Sequence, residues 1–76
     1  MKIEVLGTGC SKCKRLEERT HEALEEMGVT ADVVKVEEID QIVEYGVFKT
    51  PGFVVDGEVK ASGKVLTVKE IKKILS

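Results

Sequence analysis

Apolar residues along the chain first alternate with charged ones and then recur at helical spacing. In residues 2–6, Ile3 and Val5 alternate with charged neighbours, which predicts a β-strand. In residues 11–27, apolar positions recur at three- and four-residue steps, which predicts an amphipathic helix that ends at Gly28. The inward stripe of this helix consists of Cys13, Leu16, Thr20, Ala23, Leu24 and Met27.

The middle of the chain predicts a second strand, a short helix and a hairpin. Residues 30–36 are rich in valine and alternate imperfectly, which suits a strand covered on both faces. Residues 38–45 have the spacing of a short helix. The inward face of this helix consists of Ile39, Ile42 and Val43. Residues 53–55 and 58–60 are β-prone runs joined by an Asp-Gly pair, which predicts a two-residue hairpin.

The end of the chain predicts a capped helix. Thr67 and Glu70 have the spacing of a capping box, so a last helix begins at this point. The predicted order is therefore β-α-β-α-β-β-α, an α/β class. The first two strands should be parallel, with a right-handed crossover, and the last two antiparallel.

Composition limits the architecture and the partners. We predict that the chain of 76 residues forms a single domain, residues 1–76. Its composition, with 42% hydrophobic and 34% charged residues, is typical of a globular protein. No apolar run approaches the ~20 residues of a membrane span, and no secretory signal precedes the first strand. The net charge of −2 without a long basic block argues against nucleic acid. We therefore expect a cytoplasmic monomer.

The chain contains two cysteines, Cys10 and Cys13, between the first strand and the first helix. A disulfide over so short a loop adds little stability, so the pair indicates redox cycling or metal binding. A strand, a glycine turn, Cys-x-x-Cys and a helix form the local context of a redox motif. Because a helix N-terminus lowers the pKa of a cysteine, we predict Cys10 as the nucleophile and Cys13 as the resolving thiol.

Lys12, Lys14 and Arg15 crowd the first turns of this helix, where cations oppose the helix dipole. One interpretation is that they pair with glutamates three or four positions further along. The other is that they favour a thiolate at Cys10 or steer an acidic partner. The two interpretations are compatible.

Four short motifs give the chain a family resemblance. They are Gly9-Cys10-Ser11-Lys12-Cys13, Thr50-Pro51, Asp56-Gly57 and Ser62-Gly63. Together they resemble the small thioredoxin-like and glutaredoxin-like redox proteins of archaea and bacteria. The resemblance implies a thioredoxin-like fold, in which three helices pack on a four-stranded mixed sheet of order 2-1-3-4.

The resemblance also bears on the loop before the hairpin. The loop of Thr50 and Pro51 should lie beside the end of the first strand, near Cys10. The ~5–6% frequency of cis X-Pro bonds favours trans here, whereas the resemblance implies that this bond is cis and that Pro51 packs against the disulfide. Candidate substrate-binding residues are Gly9, Lys12, Thr50 and Pro51.

The chain also departs from these families. Thioredoxins carry Trp-Cys-Gly-Pro-Cys and glutaredoxins Cys-Pro-Tyr-Cys, whereas here Gly9 precedes the pair and Ser11-Lys12 fills it. Gly52, and the lack of a glycine pair followed by acidic residues after the fourth strand, argue against glutathione as the reductant. A buried aspartate of the thioredoxin type is not evident in this chain, and Glu4 is the nearest acidic candidate for its role.

The predicted function is that of a thiol–disulfide oxidoreductase that reduces or exchanges protein disulfides. Its partners would be a protein disulfide and an upstream reductase, with no cofactor and no metal. One alternative is Cu(I) or Zn binding by the two thiolates. Copper-chaperone domains end on a strand, however, and two ligands do not complete a zinc site. A second alternative is a non-enzymatic redox sensor or partner-binding module that uses the same dithiol, and the sequence does not distinguish it from the oxidoreductase.

Overall fold

The computed structural model describes residues 1–8 and 11–76. Its elements follow the predicted order. They are β1 (Lys2–Leu6), α1 (Ser11–Met27), β2 (Asp32–Val36), α2 (Ile39–Glu44), β3 (Gly52–Val55), β4 (Glu58–Ser62) and α3 (Val68–Leu75). Within the part of the chain that the structure describes, no helix is both long and apolar enough to cross a membrane.

The strands form one mixed sheet in the order β2-β1-β3-β4, which confirms the predicted topology. β1 pairs in parallel with β2 and antiparallel with β3, and β3 pairs antiparallel with β4. At the end of β1, Leu6 lies opposite both Val36 and Gly52. The chain therefore leaves the central strand between the end of β2 and the start of β3.

The two faces of the sheet carry separate clusters of buried side chains. The cluster that includes α1 and α3 contains Ile3, Val5, Leu16, Ala23, Leu24, Phe53, Leu66 and Ile71. The cluster on the α2 side contains Leu6, Val36, Ile42, Val47 and Val54. We call these the α1–α3 face and the α2 face. Successive residues of β1 alternate between them because strand side chains point to opposite sides.

Local signals in the sequence form as predicted. Gly28 has φ +67°, and the amide of Val29 donates to the carbonyl of Leu24, which closes the end of α1. Asp56 and Gly57 both have positive φ, as a two-residue hairpin turn requires. At α3, the amide of Glu70 donates to Thr67 Oγ1 at 3.1 Å, and the amide of Thr67 donates to Glu70 Oε1 at 3.1 Å.

Three expectations about burial and extent are wrong. β2 is an edge strand with Val34 40% exposed, so it is not covered on both faces. In α2 only Ile42 is buried, and Ile39 and Val43 are exposed because no other element packs over them within residues 1–8 and 11–76. β4 continues to Ser62 instead of ending at residue 60. The register of pairing with β3 shifts between Phe53 and Val54, and Ala61 and Ser62 pair with Phe53 and Gly52 beyond the shift.

Candidate functional site

The candidate site lies where β1 leads into α1. Two of its predicted residues, Gly9 and Cys10, lie outside the described residues, and their roles stay predictions. α1 begins at Ser11, the residue that follows Cys10 in the sequence. The predicted handover from a strand to a helix at the cysteine pair is therefore confirmed.

Cys13 is buried in the first turn of α1, 6% exposed, against the backbone of Gly7. A β-carbon at Gly7 would overlap with Cys13 Sγ and lie 3.2 Å from Cys13 Cβ. The amide of Gly7 donates to the carbonyl of Val36 at 2.9 Å, so β2 fixes this backbone in place. Glycine is required here because the sulfur occupies the space of a side chain. A left-handed turn is not the reason, since Gly7 is not among the described residues with positive φ.

The loop before β3 lies beside the same glycine. The Thr50–Pro51 bond is cis, as the resemblance implies, and Pro51 is buried while Thr50 is exposed. Thr50 Cβ is 3.8 Å from the point where a β-carbon of Gly7 would lie. Cys13 and Thr50 thus meet around Gly7, which confirms the predicted position of the loop beside the end of β1, whereas its proximity to Cys10 stays a prediction. The packing of Pro51 against a disulfide involves Cys10 and stays a prediction.

The cations at the start of α1 do not form the ion pairs that one interpretation requires. Lys12, Lys14 and Arg15 are exposed, and within Ser11–Met27 the first turn has no acidic residue. Glu17 pairs instead with Lys35 of β2, at 3.6 Å. Among the described residues, no ion pair involves the three cations. The other interpretation concerns a thiolate at Cys10, which lies outside the described residues, and stays a prediction.

A small hollow beside Cys13 collects charged side chains from both neighbouring elements. Val5, Gly7 and Cys13 line its inner part. Lys14 from α1 and Lys35 from β2 line the rest, together with Glu37. Two lysines and one glutamate thus lie around the hollow beside Cys13.

Glu4 is buried, 6% exposed, on the α2 face of the central strand. The Tyr45 hydroxyl donates to Glu4 Oε2 at 2.6 Å, and Lys2 Nζ lies 3.6 Å from Glu4 Oε1. The hydrogen bond to Glu4, burial, and the negative charge of Glu4 raise the pKa of Tyr45. Glu4 points away from the α1–α3 face. It accepts the hydrogen bond of Tyr45, the residue that follows α2.

The structure brings together a further set of residues that sequence analysis missed. A groove of about 250 Å³ runs beside Thr50 on the α2 face. Its lining residues are Thr8, Ile39, Ile42, Val43, Val47, Phe48 and Thr50. Phe48 is 81% exposed at the rim. A signal was present, because Phe48 is an aromatic residue two positions before Thr50 in a segment predicted as loop.

The described residues include no group of three or more His, Cys, Asp or Glu side chains arranged to hold a metal ion. A site that uses both thiols would include Cys10, which lies outside that set.

Comparison with known proteins agrees with this geometry. The whole chain, residues 1–76, matches a family model described as a thioredoxin domain. It is similar to a protein named thioredoxin from Methanothermobacter thermautotrophicus, with 50% identity over 76 residues, covering 100% of this chain and 99% of that protein. It is also similar to a protein named thioredoxin from Methanocaldococcus jannaschii, with 42% identity over 73 residues, covering 96% and 84% of the two chains.

Proposed function

Since the chain belongs to the thioredoxin family of thiol–disulfide oxidoreductases, we propose that it reduces or exchanges protein disulfides through Cys10 and Cys13. Cys10 is the nucleophile and Cys13 the resolving thiol. An upstream reductase returns the pair to the dithiol form. The unit of function is the single domain of residues 1–76, acting as a cytoplasmic monomer.

The reaction proceeds in two exchanges. The thiolate of Cys10 attacks one sulfur of the substrate disulfide, forms a mixed disulfide and releases the other sulfur as a thiolate, which takes up a proton. Cys13, as a thiolate, then attacks Cys10 Sγ and closes the intramolecular disulfide. This step releases the second substrate thiol. Two electrons pass from the protein to the substrate, and the reductase later restores them.

The observation that carries the proposal is the burial of Cys13 against Gly7, beside the Thr50–Pro51 bond. A resolving thiol must be withheld from solvent oxidants and other disulfides until the mixed disulfide forms. Thr50 and Pro51, with Gly9 and Lys12, are proposed to bind the substrate chain on either side of the dithiol. The lysines around the hollow are proposed to favour the reacting thiolate.

Matched serine variants test the roles of the two thiols. Reduction of insulin by the protein, with dithiothreitol as the electron source, is expected to be lost in both Cys10→Ser and Cys13→Ser. Cys13→Ser should accumulate a mixed disulfide with the substrate, detectable by mass spectrometry, because the second exchange is blocked. Accumulation in Cys10→Ser instead would reverse the assignment, and full activity of either variant would overturn the dithiol mechanism.

A further inference from the structure

The cations in the first half of α1 lie on two different sides of the helix. Lys14 lines the small hollow on the side that faces β2. Lys12, Arg15 and Arg19 are spaced by three and four residues, so they form one row on another side of the helix. Arg19 shows which side this is, because its Nη1 donates to the carbonyl of Leu66 at 3.1 Å. The row therefore runs along α1 next to the segment that joins β4 to α3.

Two lysines lie on the other side of this contact. Lys64 belongs to the segment that joins β4 to α3, two residues before Leu66. Lys49 belongs to the loop before β3, and its Cβ is 2.9 Å from the position that a β-carbon of Gly63 would take. Both lysines are exposed and both adjoin this glycine, one along the chain and one through space. We call the surface formed by five residues the basic patch: Lys12, Arg15, Arg19, Lys49 and Lys64.

The carboxylates near the basic patch leave most of its charge unpaired. Among the described residues, Lys64 is the one member that forms an ion pair, with Glu70 at 2.6 Å. Glu18 and Glu22 are exposed on α1, three positions beyond the two arginines, and pair with neither of them. Like charges three and four residues apart repel each other and destabilise a helix, so the row brings no stability to α1 by itself. Its positive charge is open to an anionic partner.

The basic patch reaches the proposed reaction centre at two places. Lys12 lies within the Cys-x-x-Cys segment, directly before Cys13. Lys49 directly precedes Thr50, whose Cβ lies near the Gly7 position against which Cys13 packs. A molecule whose disulfide reaches the dithiol therefore has its neighbouring groups within reach of the patch.

The charge of the whole chain favours a polypeptide as the occupant. The net charge is −2, so the surface outside the basic patch is more acidic than basic. A uniformly charged polyanion such as nucleic acid is repelled by that remaining surface. A folded polypeptide, in contrast, can present a few carboxylates to the patch and other side chains elsewhere.

We infer that the basic patch binds an acidic surface of the polypeptide whose disulfide the dithiol reduces. Carboxylates next to that disulfide face Lys12, Arg15 and Lys49, and Arg19 and Lys64 extend the contact away from the reaction centre. Complementary charge of this kind accelerates encounter and fixes the orientation in which the partner arrives. The inference rests on the proposed function, because it names the class of disulfide that the dithiol receives.

Peptide disulfides of one design test this inference. Three substrates share a disulfide and differ in the flanking segment, which carries three glutamates, three glutamines or three lysines. A neutral small molecule, 2-hydroxyethyl disulfide, serves as the reference. The measured quantity is the second-order rate constant for reduction by the pre-reduced wild-type protein. At low salt we expect the glutamate peptide to react about tenfold faster than the glutamine peptide, and the lysine peptide more slowly than both. The preference should shrink as salt is added.

Matched variants assign the preference to the basic patch. In Arg15→Gln with Lys49→Gln, the rate ratio of the glutamate peptide to the neutral disulfide should fall about fivefold. A change in the reacting thiolate alters both rates alike, so this ratio reports binding. Lys60→Gln with Lys73→Gln removes the same charge from β4 and α3 and should leave the ratio unchanged.

Charge reversal gives a result that a folding defect does not produce. In Arg15→Glu with Lys49→Glu, the lysine peptide should react faster than the glutamate peptide. Circular dichroism and reduction of the neutral disulfide check that each variant is folded. A reversed variant that is folded and still prefers glutamate would overturn the inference.

The remaining outcomes separate the inference from the function on which it rests. If the wild-type protein reduces none of these disulfides, the proposed function fails. If it reduces the neutral disulfide but treats the glutamate and glutamine peptides alike, the inference is overturned and the function stands. An equal loss of preference in the control variant would assign the effect to net charge and overturn the inference. Faster reduction of coenzyme A disulfide than of the glutamate peptide would make a phosphate-bearing small molecule the occupant and overturn it as well.

Discussion

On one face of the sheet, α1 and α3 pack together and bury Phe53 and Ile71 completely, whereas on the other the six-residue α2 buries Ile42 and leaves Ile39 exposed. The first face holds α1, which ends at Gly28, and α3, which begins with a capping box at Thr67. It also holds most of the large buried side chains. The second holds a buried carboxylate and an open groove. The comparison teaches that this small fold concentrates its stability on one side of the sheet. The other side leaves part of its apolar surface exposed.

The largest expected effect compares two phenylalanines. Phe53→Ala removes a completely buried ring from the α1–α3 face and should lower the free energy of unfolding by about 3–5 kcal/mol. Phe48→Ala removes a ring that is 81% exposed and should change it by less than about 0.5 kcal/mol. Urea denaturation of both variants measures the difference. Similar losses in the two variants would contradict the division between the faces.

The next effect concerns the contact between Gly7 and Cys13. Gly7→Ala places a methyl group where the sulfur lies, so we expect a loss of about 1–3 kcal/mol in the free energy of unfolding. The same substitution in a Cys13→Ala background should cost less, because the overlapping atom is gone. A double-mutant cycle by urea denaturation gives the coupling. Equal costs in both backgrounds would show that the sulfur does not fill this space.

A smaller effect tests the buried carboxylate of the α2 face. Tyr45→Phe removes the hydroxyl that donates to Glu4, and we expect a loss of about 1–2 kcal/mol in the free energy of unfolding. The raised pKa of Tyr45 adds a pH dependence. The folded state holds the phenol proton more tightly than the unfolded state, so the contribution is complete below about pH 10 and is lost as pH rises through the folded pKa.

Comparison of wild type with Tyr45→Phe isolates the pH dependence of stability that the tyrosine contributes, because Tyr45 is the single tyrosine of the chain. Unfolding free energies of wild type and Tyr45→Phe, measured at increasing pH above neutrality, should converge above about pH 10. A constant gap over that range would contradict the role given to the hydrogen bond.

The smallest effect concerns the cations of α1. Lys14→Gln with Arg15→Gln removes charges that oppose the helix dipole, so we expect the free energy of unfolding to rise by about 0.3–1 kcal/mol. The rate of disulfide reduction should fall if these cations favour the reacting thiolate. Lys60→Gln on β4 is the control, because Lys60 lies on a different element and pairs with Glu58 at 3.4 Å. A less stable but equally active double variant would restore the ion-pair interpretation.

Local signals predicted much of the fold from sequence. The capping box at Thr67, the hairpin at Asp56-Gly57 and the end of α1 at Gly28 depend on residues within a few positions of one another, so the sequence displays them directly. The sheet order followed from these elements together with the family resemblance. The cis bond at Pro51 was predicted from the same resemblance, because the residues alone favoured trans.

Features that depend on distant residues were not predictable in this way. Helical spacing places Ile39 and Val43 beside Ile42, but it does not say whether another element covers them. The hydrogen bond between Tyr45 and Glu4 joins residues 41 positions apart. Gly7 looks like any turn glycine in sequence, since the sulfur that excludes a side chain comes from the next element. For the same reason the sequence shows Phe48 as an aromatic residue of a loop, but not the groove on the α2 face, which distant residues such as Thr8 and Ile42 also line.

The position of β1 at the centre of the sheet has a mechanical consequence. In the proposed mixed disulfide, a tethered substrate pulls on the chain just beyond Leu6, which is paired with β2 on one side and β3 on the other. Such a load is shared between the two hydrogen-bonded ladders of β1. A slender protein of 8.4 kDa can in this way hold a much heavier partner without being pulled apart itself.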